Sequence, residues 1–597
     1  KYIASYMFEN CAALTDFDIT NNSVLLGIGD HAFDGCAALV ELDFSGVSLN
    51  ATSYSAANGI GDYAFANCPN LVSVTVKNLA NLGDEIFEGS DKAKLVWVGN
   101  ETTATEDAIY NTTTKVFIKY LGSATSYQIP SGLTMIAEGA FQGNTTLQSV
   151  DLNEVTRLYN YAFADCTALK SIDLSGITSY TYCGTYTFSG CTALTDVTYP
   201  STLTTINNGL FENCTSLASF DFSNVATINA SAFKGCTALA NVDLSKVYTI
   251  NANAFEGAGL TGEVNLSTAT TLQTRAFADC KGIEKVILTS FVGGTAYSST
   301  YKEQFIGCTS LKEVSMPKAT YLAAGMFQNC TALTNFDFSK VIYIYTSAFE
   351  GSGLTGAFEL PATTSVNKSA FAYCSGITNI SIPKATSISE SVFEGCTSLT
   401  DYDFSNIKYI YASAFEGSGL TGEFDLPLVT TLAARAFANC NGIQKITLDV
   451  FEGSSSTYGK SYIEQFTGCT FLKEVSMPRA VSIAIGMFQG CTSLEKVSSP
   501  FVTTVYANAF DGCAALASVD FTNIESIYAE SFRGCTNIKS AVLTTNLTYL
   551  ESTAFAGWTE EQSISLPSFK WSDFSEEFKT EWTDSCKAIV TWEDENA

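Results

Sequence analysis

Cysteine is the residue of this chain that most invites chemistry. There are 19 of them. Most close a short phrase such as VFEGCTSL, Val392–Leu399, which returns as MFENCAAL, AFADCTAL, AFKGCTAL, MFQGCTSL and SFRGCTNI. A thiol can act as a nucleophile, a metal ligand or half of a disulfide. His31 is the only histidine, so histidine-rich zinc sites, Ser-His-Asp triads and Cys-His pairs are hard to build. Seventeen of the cysteines stand three residues after a phenylalanine, and only Cys183 and Cys586 do not. In six further copies the slot holds Ser90, Asn144, Ala258, Ser352, Ser418 or Trp558. A catalytic or metal-binding cysteine would not give way to alanine and serine in register. Stacked copies would bring equivalent Cα atoms to about 5 Å, which a disulfide tolerates. Their side chains would point the same way, however, and many would lack a neighbour on one side. The cysteines therefore read as reduced, buried, small hydrophobes, and His31 as a solvated loop side chain.

Two other residue types are candidates for binding. Four long gaps between successive phenylalanines, Phe33 to Phe65, Phe163 to Phe188, Phe277 to Phe305 and Phe437 to Phe466, hold NATSYSAANGIGDY, TSYTYCGTY, GGTAYSSTYKEQ and GSSSTYGKSYIEQ. Tyrosine among Ser, Gly, Thr and Asn is the mixture that binding loops favour, because Tyr offers a large amphipathic contact at low entropic cost. The candidates are Tyr54, Tyr180, Tyr182, Tyr186, Tyr297, Tyr301, Tyr458 and Tyr462, on loops expected to leave one edge of the fold. The second type is a carboxylate ten residues after the phenylalanine: Asp18, Asp43, Asp151, Asp173, Asp221, Asp243, Asp337, Asp403, Asp425 and Asp520, with Glu359. Several fall in consecutive copies, where like charges would repel across neighbouring strands. A calcium ion or a basic partner would relieve that repulsion. Hydrogen bonds from the serine that often follows two residues later are the commoner device. No resident cofactor is expected beyond that calcium alternative.

The elements that position these residues are repeats. From Phe8 to Phe555 there are 23 copies, and 14 of the 22 gaps between them are 22 residues long. One unit, CTSLASFDFSNVATINASAF, runs from Cys214 to Phe233. LASFDFS alternates apolar and polar residues, the mark of a short strand with one buried face. VATINASAF suits an irregular turn closing into a helical or 3₁₀ turn. Most prolines fall just after the strand, where a missing N–H breaks no ladder. One such coil buries too little apolar surface to offset the entropy of ordering it. The copies must therefore stack, which makes the fold a repeat solenoid.

The finer pattern, LTSVDLSxVTTIxxxAFxGC, closely resembles the BspA-like, or Treponema-type, leucine-rich repeats, and the resemblance covers nearly the whole chain. It implies a leucine-rich-repeat solenoid with one parallel strand per coil of about 22 residues and short helical or 3₁₀ turns on the other side. It also implies a non-enzymatic protein, extracellular or on the cell surface, that adheres to a protein or glycan on a host or neighbouring cell. The alternative is a structural spacer or fibre subunit that self-associates end to end.

Composition agrees with a folded, non-membrane chain. Of 597 residues, 46% are apolar and 15% charged, and the net charge is -29. That sign disfavours nucleic acid and anionic lipid, and no run of eighteen apolar residues offers a membrane span. The first residues already lie inside a repeat, so a leader or earlier segment is expected to precede them. Three segments are expected: an N-terminal array over residues 1–105, a main array over 106–558 and a C-terminal cap over 559–597, the last rich in tryptophan. A larger duplication overlies the repeat. AFEGAGLTGEVNL, from Ala254, recurs as AFEGSGLTGAFEL from Ala348 and AFEGSGLTGEFDL from Ala414, and the first and last copies are each followed by a tyrosine loop. Two similar loops on one scaffold would favour avidity.

Overall fold

The computed structural model describes residues 2–19, 25–49, 59–79, 82–83, 86–90, 92–97, 102–105, 107–292, 300–453 and 462–592. The chain divides into two compact units, Lys1–Ser290 and Phe291–Ala597. Each is a stack of coils related by parallel pairing, apart from one antiparallel ribbon in the first unit.

Each coil has an outer segment that can form a strand, a two-residue inner strand and a tight turn that carries the phenylalanine. The inner strand was not expected from the sequence. Thr205–Ile206, Thr227–Ile228, Thr249–Ile250 and Thr271–Leu272 pair in parallel with threonine opposite threonine. Its first residue is half-buried and its second is buried. In the second unit the series continues as Tyr321–Leu322, Tyr343–Ile344 and Ser365–Val366, then Ser387–Ile388, Tyr409–Ile410 and Thr431–Leu432, then a further group that begins at Ser482–Ile483.

The turn differs from a regular 3₁₀ helix. Ala232, Lys234 and Cys236 donate their N–H groups to the carbonyls three residues back, while Ser231, Phe233 and Gly235 donate to Ala252, Ala254 and Glu256 of the next coil. Alternate N–H groups thus close the turn and tie it to its neighbour. Ser231 and Gly235 take φ of 57° and 71°. This left-handed geometry recurs two residues before and two after the phenylalanine, which explains the frequent glycine in Phe-x-Gly-Cys.

The outer strand is formed in only part of the array. Ser126–Gln128, Ser149–Asp151, Ser171–Asp173 and Asp196–Thr198 make a continuous parallel ladder. The strand expected over LASFDFS is absent, since residues 218–222 join no ladder. Phe220 and Phe222 lie 4.9 Å apart and both pack against Phe233. Phe336 with Phe338 and Tyr402 with Phe404 repeat the arrangement at 5.0 and 5.1 Å, and those coils also leave the ladder. The coil with Val242 and Leu244 in these places leaves the ladder as well, so the ring pairs accompany the break without being its general cause.

The core is a column of rings. Successive repeat phenylalanines stack with centroids 4.6–5.9 Å apart in the first unit and 5.3–6.1 Å apart in the second. In the long gap after Phe87 an antiparallel ribbon, Thr102–Ala104, Ala108–Asn111 and Val116–Tyr120, turns into the stack. Its last strand pairs in parallel with Met135–Ile136, and Phe117 and Tyr120 cover Phe141 at 4.9 and 5.2 Å. At the other end the helix Glu576–Ser585 starts at Ser575, whose side chain accepts the Phe578 N–H. Glu576 and Glu577 favour its N-terminus. Trp558 and Trp582 lie 4.8 and 6.3 Å from Phe555.

Candidate functional site

The cysteine slot is a buried hydrogen-bond donor, not a reactive site. In fifteen coils the thiol donates to the carbonyl oxygen of the preceding coil's phenylalanine at 2.9–3.2 Å. Ser90 Oγ and Trp558 Nε1 make the same bond at 2.8 and 3.0 Å, so three chemistries share the slot through one donor. Ala258 does without it. All 19 thiols are free, and only Cys11 is exposed. Burial pushes the thiols up, to about 12 at Cys183, Cys236, Cys374, Cys440 and Cys535, so none of these is a thiolate near neutral pH. A thiol reagent added to native protein at pH 8 should accordingly label one cysteine quickly and all 19 after denaturation. Rapid native labelling of many would show that the coils open.

Tyr54, Tyr297 and Tyr458 lie outside the described residues. Tyr180 and Tyr182 form a 3₁₀ turn, Tyr180–Tyr182, with both rings exposed. The Asn207 amide pins it from the next coil by donating to the Tyr180 and Cys183 carbonyls. The Arg157 guanidinium sits 5.1 Å from the Tyr182 ring centre and 5.2 Å from that of Tyr159, a cation–π clamp on the loop. Tyr186 stacks on Tyr161 at 5.5 Å and sits in the left-handed turn position. Tyr301 and Tyr462 are half-buried at the roots of their loops, beside the buried Gln304 and Gln465. Only the Tyr180–Tyr182 loop is described in full, and it gathers Tyr180, Tyr182, Arg157 and Tyr159 into one cluster.

The carboxylates fall where the spacing put them and are exposed. In Asp151, Asp173, Asp221, Asp243, Asp337 and Asp403 one oxygen accepts the backbone N–H two residues on, at 2.9–3.0 Å. Asp425 differs because Pro427 has no N–H to give. Asp151 also accepts from the Gln128 side chain at 2.8 Å. Among the described residues no three His, Cys, Asp or Glu side chains come together as a metal site. The turn bonds from Ser223, Ser245, Ser339, Ser405 and Thr522 hold Asp221, Asp243, Asp337, Asp403 and Asp520 below the ordinary carboxylate range. A depressed folded-state pKa adds stability above the unfolded value of about 3.9 and loses it as pH falls through the folded value. The urea midpoint should therefore respond little to these groups from pH 5 to 8 and drop below about pH 4. Asp403→Asn should show a shallower drop, and an identical profile would remove Asp403 from the account.

Residues 1–123, 111–240, 226–355, 342–465 and 460–578 each match the BspA type leucine rich repeat region (6 copies). The chain belongs to that family. Among solved structures, the BspA-type chain is similar to a leucine-rich repeat protein of Bacteroides ovatus, at 18% identity over 83% of this chain and 99% of that one, with a TM-score of 0.31. It is also similar to the leucine rich repeat protein of T. pallidum, at 21% identity over 39% and 86%, TM-score 0.23. A leucine rich cell surface protein of Faecalibacterium prausnitzii matches at 17% identity over 83% and 96%, TM-score 0.19. No curated protein matches the chain.

Several exposed features of this BspA-type array escaped the sequence reading. His31 is not merely solvated: its ring stacks between Tyr6 and Tyr63 at 5.0 and 4.9 Å and its Nδ1 lies 2.8 Å from Asp34. The inner-strand positions carry Tyr321, Tyr343, Tyr409 and Tyr549, and the position two residues on carries Tyr159, Tyr345, Tyr411, Tyr506 and Tyr528. Tyr321 stacks on Tyr343 at 5.4 Å, and Tyr506 on Tyr528 at 5.2 Å. A tyrosine before leucine or isoleucine at Tyr321, Tyr343 and Tyr409, in register with the 22-residue period, was the available signal; without the inner strand it had no address. Among the described residues no helix is long and apolar enough to cross a membrane.

Proposed function

We propose that this chain is a non-catalytic binding and adhesion protein, extracellular or at the cell surface, whose coils present exposed side chains to a protein or glycan partner. One observation carries the reading: tyrosine rings stand exposed on a scaffold whose interior is nearly constant from coil to coil. Phenylalanine, leucine and the donor slot repeat inside, while the outward residues beside the inner strand change between Thr, Ser, Asn and Tyr. A fixed lattice with a variable, aromatic surface suits recognition, since rings already held in place lose little freedom on binding. A solid-phase screen of the full chain against matrix proteins and glycans tests it. Saturable capture of at least one class is expected, reduced several-fold by Tyr180→Ala/Tyr182→Ala or by Tyr297→Ala/Tyr301→Ala/Tyr458→Ala/Tyr462→Ala. Capture of neither class would overturn the binding role, and capture untouched by both variants would move it away from the loops.

A further inference from the structure

We infer that the cleft between the Phe371 and Phe393 coils of the second unit is a glycan subsite that takes a short run of neutral hexopyranose rings. The inference rests on the binding role proposed above and gives it a ligand class and an address.

The cleft exists because the inner ladder opens there. The three strands that end at Ser365–Val366 and the three that begin at Ser387–Ile388 are separate ladders, although the two coils keep the usual 22-residue spacing. After Thr431–Leu432 the same ladder stops where the tyrosine-rich insertion leaves the coil; between Val366 and Ser387 there is no insertion. Phe371 and Phe393 stand 6.1 Å apart, against 5.7 and 5.3 Å at the steps on either side. At the neighbouring steps Asn367 N–H donates to the Ile344 carbonyl and Tyr411 N–H to that of Ile388, at 2.9 and 3.0 Å. In the opened step the Ser389 hydroxyl donates to the Val366 carbonyl at 2.7 Å instead.

The floor is a cavity of about 60 Å³, room for about two waters and too small to enclose a ligand. Thr364, Ser365, Thr386, Ser387 and Ser389 line it; the Thr364, Ser365 and Ser389 hydroxyls donate to the Ile342 carbonyl, the Asn367 side chain and the Val366 carbonyl and keep lone pairs to accept. Val366 is half-buried where its counterparts Ile344 and Ile388 are buried, so a strip of core lies open.

The walls are tyrosine pairs placed one ladder step outside each rim. Tyr343 pairs with Ser365, and Tyr409 with Ser387. Tyr345 and Tyr411 follow two residues on. Tyr343, Tyr409 and Tyr411 are 37%, 42% and 45% exposed. Tyr321 lies nearly parallel to Tyr343, at 4° and 5.4 Å, and Tyr345 is nearly parallel to it as well, at 7° and 6.4 Å, so Tyr343 is held as a plate; its ladder neighbour on the cleft side is Ser365. Tyr409 lies between Ser387 and Thr431, with no aromatic neighbour in the ladder on either side. The two plates are three steps apart, about 14–15 Å.

Plates this far apart do not close on one ring; they suit an oligosaccharide laid along the coils, with separate rings stacking on Tyr343 and on Tyr409. A pyranose offers C–H groups to the negative face of a tyrosine ring and a rim of hydroxyls to serines and threonines that both donate and accept. Charge points the same way. No charged side chain lines the cavity among the described residues, and Lys368 beside it is bound to Glu390 at 2.7 Å. A peptide joining the opened ladder would pair with edges only two residues long, too short for strand addition to hold firmly.

The test is titration calorimetry of the full chain with neutral hexaoses of glucose, mannose and galactose, beside a threonine-rich heptapeptide. At least one hexaose should bind, and Tyr409→Ala/Tyr411→Ala should weaken it tenfold or more. Tyr506→Ala/Tyr528→Ala, which removes a stacked pair over an unbroken ladder, should change affinity less than twofold. All replaced rings are on the surface, and an unchanged melting curve verifies that each variant folds. The assignment is overturned if no hexaose binds, if the Tyr409/Tyr411 variant binds as well as wild type, or if only the peptide binds. Capture of a protein partner in the solid-phase screen would keep the general binding role standing when the subsite fails.

Discussion

Replacing Phe349 by alanine should cost the second unit about 3–5 kcal/mol, the range for truncating a fully buried aromatic ring. Phe349 is wholly buried. It stacks on Phe327 and Phe371 at 5.4 and 5.7 Å and takes the edges of Phe336 and Phe338 at 5.2 and 5.3 Å. The loss includes those ring pairs, each worth about 0.5–1.5 kcal/mol beyond its area, and a cavity that neighbouring coils cannot close, because their own rings are fixed by the next step of the column. In a solenoid each coil depends on its immediate neighbours, so the damage should be local. Hydrogen exchange should speed up by orders of magnitude in the coils of Phe327, Phe349 and Phe371 and remain unchanged around Phe163 and Phe188. Phe349→Leu, which keeps most of the volume, should cost clearly less. A Phe349→Ala protein with wild-type exchange throughout would mean that the phenylalanine column does not hold the coils together.

That dependence on neighbours also explains which parts of the fold were legible in the sequence. The period, the buried phenylalanine and the inert cysteine were readable because each makes the same contact in every coil: Phe on Phe, thiol to the preceding Phe carbonyl. The inner strand was not, since a pair such as Thr227–Ile228 is too short to show a period of two. It becomes a strand only through the matching pairs above and below. Phe220 and Phe222 misled for the opposite reason. Their alternation is that of a strand, but a strand forms only where the neighbouring coil comes into register, as the equally unpaired Val242 and Leu244 show, and nothing in a single coil reveals its neighbour's register. The binding surface suffered from the same blindness. The tyrosine insertions stood out as irregular text, whereas Tyr343, Tyr345, Tyr409 and Tyr411 sit in regular coils, and their grouping depends on a ladder break that no residue announces.

The repeated GSGLTG phrase was visible as a duplication without a reason, and its geometry predicts the second large effect. In an ordinary coil leucine follows phenylalanine by six residues, as Leu333 follows Phe327; in this one Leu354 follows Phe349 by five. One residue shorter, the chain cuts the corner and presses on the coil before it. A Cβ on Gly353 would lie 2.0 Å from the Thr331 carbonyl oxygen, and in the sister copies one on Gly259 or Gly419 would lie 1.9 or 2.1 Å from that of Thr237 or Thr397. Further on the pairing slips by one: Gly356 is opposite Ile377 and Ala357 opposite Asn379, so Thr378 of the next coil is passed over, and Gly356 takes φ of 89°, a bulge in the ladder. Gly353→Ala must therefore push two backbones apart by about an ångström at a point where the Gly353 N–H also donates to the Cys330 carbonyl. Overpacking of that kind costs about 1–3 kcal/mol and more when the obstacle is backbone, so a melting point lower by several degrees is expected. The control is Gly512→Asn. Gly512 takes φ of 74°, a Cβ there would meet only the Gly490 backbone at 3.8 Å, and Asn329 and Asn439 hold the equivalent left-handed position in other coils, so that change should cost under about 1 kcal/mol. Gly353→Ala as mild as Gly512→Asn would refute the close approach, leaving the duplicated phrase without a structural cause.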